Sequence, residues 1–107
     1  MAFKQYTLTL NGAVQRLSLV LSDPTPGGLL DIPLRQVTFQ GLKANTNDIF
    51  VGDNSAVTST SHAFRVDATD AALPLVLGPF ETGPMKLSDF YVIGTNNEVL
   101  VIGAVPF

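Results

Sequence analysis

Tyr6, Leu8 and Leu10 alternate with Gln5, Thr7 and Thr9, the period-two pattern of a strand with one face buried. Leu17, Leu19 and Leu21 alternate with Arg16 and Ser18, although Val20 breaks the strict order. Val37 and Phe39 alternate with Gln36, Thr38 and Gln40, and Phe64 and Val66 with Ala63, Arg65 and Asp67. Each run predicts a short strand. Phe90-Tyr91-Val92-Ile93 and Val99-Leu100-Val101-Ile102 are continuous apolar runs instead, which predicts strands covered on both faces by the domain or by a partner. Gly94-Thr95-Asn96-Asn97-Glu98 between them predicts a hairpin connection. Asn11-Gly12 predicts a tighter hairpin between the first two runs, because both central positions of that turn need positive φ. Gly52-Asp53-Asn54-Ser55 reads as another tight turn.

Nine Gly and seven Pro leave no window of ~12 residues with an uninterrupted helical period. About eight short strands at intervals of about 8–14 residues predict an all-β fold: a small antiparallel β-sandwich or barrel, jelly-roll-like. The 107 residues suffice for one domain, residues 1–107. Residues 22–33, rich in Pro, Gly and Asp, are read as a loop or arm within it, since the residues before them are too few for a core. No fixed-period repeat is present.

Composition narrows the function classes. The hydrophobic fraction of 46% suits a folded globule, and the charged fraction of 14% is low against a typical ~25%. Mean hydropathy is +0.31, which argues against disorder and for a surface of Ser, Thr, Asn and Gln. A net charge of −3 with six basic residues argues against a nucleic-acid partner. The absence of Cys removes disulfides, thiolate nucleophiles and zinc-thiolate sites. Residues 1–10 lack the apolar core of a secretory signal. The longest apolar stretch, residues 99–107, is broken by Gly103 and Pro106 and falls short of the ~18 residues that span a bilayer, so no membrane partner is expected. The start at Met1 leads us to expect a complete small product made in the cytosol.

Candidate chemistry is sparse. Asp23, Asp31, Asp48, Asp53, Asp67, Asp70, Asp89, Glu81 and Glu98 could supply a glycosidase pair on paper, but nearly all stand beside turn residues, where Asp bonds its own backbone. Asn45-Thr46-Asn47-Asp48 with Asp53-Asn54 offers oxygen ligands, yet the spacing is not that of a calcium loop and no terminal Glu completes it. A polar loop with Asx turns is expected there. Ser61, His62 and Asp67 do not make a triad, because neighbours in a strand point to opposite faces and no G-x-S-x-G elbow is present. His62 is expected as an exposed residue at a strand start. Gly27-Gly28 lacks the Lys-Ser/Thr of a phosphate loop. The expectation is a chain that is not an enzyme, with no catalytic residue, no metal site and no cofactor.

The surface carries what remains. Pro79-Phe80 places an aromatic at a rigid turn, and Val105-Pro106-Phe107 ends the sequence in apolar residues. An isolated small sandwich accommodates such groups poorly, so Pro79, Phe80, Val105, Pro106 and Phe107 are the expected interface residues.

Residues 42–53 (Leu42-Lys43-Ala44-Asn45-Thr46-Asn47-Asp48-Ile49-Phe50-Val51-Gly52-Asp53), 73–80 (Leu73-Pro74-Leu75-Val76-Leu77-Gly78-Pro79-Phe80) and 87–95 (Leu87-Ser88-Asp89-Phe90-Tyr91-Val92-Ile93-Gly94-Thr95), closing on Val99-Leu100-Val101-Ile102, resemble small all-β virion proteins of tailed bacteriophages. That group includes head decoration (cement) and head-fibre proteins. The resemblance covers roughly residues 34–107 and leaves residues 1–33 unmatched. It implies a structural, oligomeric, cofactor-free protein and transfers no catalytic residue. The expected function is therefore that of a capsid decoration protein on the particle surface, made in the host cytoplasm. It would bind the major capsid protein or other virion proteins and self-associate as a homotrimer. The rival expectation is a carbohydrate-binding or host-recognition β-sandwich of a tail or fibre. Against it stand the absence of Trp and the presence of only two Tyr, of which Tyr91 lies inside an apolar run.

Overall fold

The alternation at the start of the chain becomes strand β1 (Lys4–Thr9), with Tyr6 and Leu8 buried and Gln5, Thr7 and Thr9 exposed. The computed structural model describes residues 4–17, 33–41, 46–67, 74–79, 81 and 85–106. Seven more strands follow: β2 (Gln15–Arg16), β3 (Leu34–Gly41), β4 (Ile49–Gly52), β5 (Phe64–Val66), β6 (Leu75–Leu77), β7 (Tyr91–Ile93) and β8 (Val99–Pro106). A 3-10 turn, Leu87–Asp89, precedes β7, closed by the Asp89 carboxylate accepting from the Lys86 N–H at 2.8 Å. No helix among the described residues is long and apolar enough to cross a membrane. The proposed arm, residues 22–33, lies outside the described residues except for Pro33.

The strands form two four-stranded antiparallel sheets, and the fold is a small all-β sandwich. Sheet A runs β1-β8-β3-β6 and sheet B runs β2-β7-β4-β5. Leu8, Val37, Phe39, Leu100, Ile102 and Ala104 face inward from sheet A. Ile49, Val51, Val66 and Val92 meet them from sheet B. Burying one such aliphatic or aromatic side chain contributes about 1.5–3 kcal/mol, so this two-sided layer is the main source of stability.

Two expected hairpins are not hairpins. β1 pairs with β8 and β2 pairs with β7, so Asn11-Gly12 turns the chain from one sheet to the other. β7 and β8 likewise belong to different sheets, and residues 94–98 are a second crossing. The physical reason lies in what the two corners do for each other. The Leu10 N–H donates to the Glu98 carbonyl and the Asn97 N–H to the Leu10 carbonyl, each at 2.8 Å. Leu10 is almost fully buried, and a side chain on Gly94 would overlap its Cδ1. Gly12 has φ 82°, while Asn11 is not left-handed; its Oδ1 accepts from the Ala13 N–H in an Asx turn. The left-handed residue of the second corner is Asn97, φ 70°, in the turn closed by the Glu98 N–H on the Thr95 carbonyl. Long-range docking of corner on corner overrides the local hairpin preference.

Candidate functional site

The two outer faces of the sandwich differ in chemistry. On sheet A, one row crosses all four strands as Gln5, Gly103, Thr38 and Val76. Thr7, Val101 and Gln40 make the next row, with Thr9 beside Val99 at one end and Gln36 beside Val105 at the other. Every one of these side chains is uncharged, and Arg35 stands only at the margin, where the β3 register shifts. Val99, Val101 and Val105 are half-buried, and Val76 is 46% exposed. The apolar run of β8 is thus explained in part: Leu100, Ile102 and Ala104 fill the core, and the intervening valines face outward.

The expected interface residues fall at one end of this sheet. Val105 pairs with Gln36 and Pro106 with Leu34, so both belong to the central strand rather than to a free tail. Leu77 pairs with Val37, and the exposed Pro79 follows two residues later at that same end, after Gly78 with φ 107° and a cis Gly78-Pro79 peptide. Phe80 and Phe107 lie outside the described residues.

Sheet B presents aromatic and charged groups. Arg16, Tyr91 and Gly52 form one outward row, and Ile93, Phe50 and Arg65 form the next. Arg16 donates from Nε to the Ser88 carbonyl at 2.9 Å, which holds its guanidinium 5.4 Å from the Tyr91 ring centroid in a cation–π contact. Tyr91 therefore lies on an outer face, half-buried, although it sits inside an apolar run. The His62 ring packs against Phe50 with centroids 4.7 Å apart and planes tilted by 46°. His62 is exposed, and because a carbonyl only accepts, its Nδ1 carries the proton donated to Thr58 at 3.1 Å.

A groove of about 600 Å³ opens beside Phe50 and Ile93. Its polar sides come from Asn47 and Asp48 before β4, Thr58 and Ser59 in the β4–β5 connection, and Thr95 after β7. Glu98 shapes one of these sides. Its Oε1 accepts from the Thr46 N–H and, at 2.8 Å, from the Asn47 N–H, while the Asn47 side chain donates to Oε2 at 3.3 Å. Desolvation pushes the Glu98 carboxyl up, but the Asn47 and Thr46 backbone donors and both side chains outweigh it and hold it below its ordinary range. Asp48 meets Arg65, Oδ2 to Nε, at 3.7 Å.

In the polar segment, Thr46 and Asn47 are held by Glu98, and residues 53–56 make a turn of their own. Asn54 donates to Asp53 at 2.8 Å and accepts from the Ala56 N–H at 2.8 Å, while Asn45 lies outside the described residues. Among the described residues no three His, Asp or Glu side chains come together as a metal site. The Glu98 clamp and the Phe50 groove were not foreseen from sequence, because Glu98 acts 51 and 52 residues away. Phe50 is also hidden within the apolar run 49–51. Comparison with protein families, with curated proteins and with solved structures finds no match.

Proposed function

We propose that this chain is a non-enzymatic structural protein of a phage particle, a decoration protein that binds the head shell and associates with copies of itself as a trimer. The observation that carries this reading is the uncharged outer face of sheet A, where valines, threonines and glutamines spread over four strands. Docking such a face buries apolar surface without stripping water from an unpaired charge. It suits a contact repeated by symmetry, in which modest individual terms accumulate. Val105 continues the same surface at one end of that sheet, and the exposed Pro79 lies at that end. The sequence resemblance to phage virion proteins supports the particle setting and the shell as partner.

Light scattering of the purified chain tests the self-association. A trimer is expected, and Val101→Glu, which puts a charge at the middle of the face, is expected to give folded monomers. Quantitative mass spectrometry of particles containing the chain tests its place: a fixed copy number relative to the major shell protein supports the reading. A monomer unaffected by Val101→Glu, together with absence from particles, overturns it.

A further inference from the structure

We propose that the groove on the outer face of sheet B binds a neutral pyranose oligosaccharide. A sugar ring has an apolar C–H face and a polar rim, and it needs a flat apolar group beside several hydrogen-bonding side chains. Phe50 and Ile93, register partners on adjacent strands, provide the apolar base. The Phe50 ring is braced from one side by His62, which is itself tethered to Thr58. A braced ring loses little freedom when a sugar stacks on it.

The polar groups around that base are both donors and acceptors, as hydroxyls require. Asp48 is an acceptor whose side chain is 30% exposed and whose position is steadied by Arg65. Thr58, Ser59 and Thr95 contribute hydroxyls. The Glu98 clamp fixes the backbone of Thr46 and Asn47, so the Asn47 side of the groove is set before a ligand arrives. The charge pattern selects neutral sugars: Asp48, paired with Arg65, lines the groove, the Glu98 carboxylate stands behind Asn47, and the chain carries −3 overall, which disfavours an anionic ring. Tyr91 is not the platform, because Arg16 already lies against its ring.

This site is on the opposite face of the sandwich from the docking surface of sheet A, so it stands independently of the particle role. Amide-resolved NMR titration with cellotriose, maltotriose, chitotriose and glucuronate is the test. At least one of the neutral trisaccharides at millimolar concentration is expected to shift the amides of Phe50, Ile93, Gly94 and Thr95. Phe50→Ala is expected to weaken that binding about tenfold or more. Ser59→Trp, at an exposed turn position, fills the groove without disturbing the core and is expected to abolish it. Thr7→Ala on sheet A is expected to bind as the parent does. Silence with all three neutral sugars, shifts confined to another surface, full binding by Ser59→Trp, or tighter binding of glucuronate would each overturn the proposal.

Discussion

Phe39, at the middle of sheet A, meets Phe90, which leads into β7 of sheet B, edge to face, with ring centroids 5.2 Å apart and planes at 71°. Both rings are buried, Phe39 completely. The pair ties the two layers together through the core. Phe39→Ala removes the aromatic contact and leaves a void between the layers. A loss of about 3–5 kcal/mol in urea unfolding is expected, against a total of about 5–15 kcal/mol for a domain. A loss below 1 kcal/mol would mean that the layers are held elsewhere.

Gly103 and Thr38 are register partners on the outer face of sheet A, and a Cβ on Gly103 would overlap the Thr38 hydroxyl. Gly103→Ala is therefore expected to destabilise by about 1–3 kcal/mol. Thr38→Ala, itself mild, should restore most of that loss when combined with it. Thermal melts of the two single variants and the double variant form the cycle, and additive losses would disprove the direct clash.

Glu98 links solution pH to the shape of the sheet B groove. Its carboxyl titrates below its ordinary value near 4.5, so its contribution is complete above that value and fades as pH falls through the lower folded-state value. Protection of the Thr46 and Asn47 amides, measured against the intrinsic exchange rate at each pH, should fall in that acidic window and stay high at neutral pH. In Glu98→Gln the acid-dependent change at these two amides should vanish.

Deleting residues 105–107 shortens the central strand at its end, removing the pairs of Val105 with Gln36 and Pro106 with Leu34. The remaining β8 pairs, from Val99 to Ala104, keep both neighbours. The truncated chain is expected to retain a β-type circular dichroism spectrum with a lowered melting temperature, and the proposed self-association is expected to weaken more than the fold. An intact oligomer after truncation would place the interface away from this end of the sheet. Failure to fold would show these residues to be part of the core closure.

The strands were legible because alternation is a local property: Tyr6 and Leu8, Val37 and Phe39, and Val66 each declare their inward face within a few positions. Strand partnership was not, because it is decided at long range. Asn11-Gly12 has the composition of a tight hairpin, and nothing nearby reveals that Leu10 will bond to residues 97 and 98. Tyr91 and Phe50 were hidden for a related reason. Each lies between two buried apolar neighbours, Phe90 and Val92 or Ile49 and Val51, so the run looks buried throughout while its middle residue faces outward. That Val105 and Pro106 lie at the same end of the sheet as Pro79 follows from β3 standing between β8 and β6, which only the register discloses.

Because β8 stands between β1 and β3, sheet A has a timetable as well as a topology. Thr7 meets Val101 and Phe39 meets Ile102, so neither β1 nor β3 has its shared neighbour until most of the sequence has been translated. At ~5–20 residues per second, β1 waits roughly 5–20 s on the ribosome for that strand. Until β8 arrives, β1 has no partner and the β8-facing edge of β3 stays open to other nascent chains, including those of the same kind. The inward side chains of those strands, Tyr6, Leu8, Val37 and Phe39, are uncovered for the same interval, so crowding of nascent chains acts on yield separately from the stability of the finished sandwich.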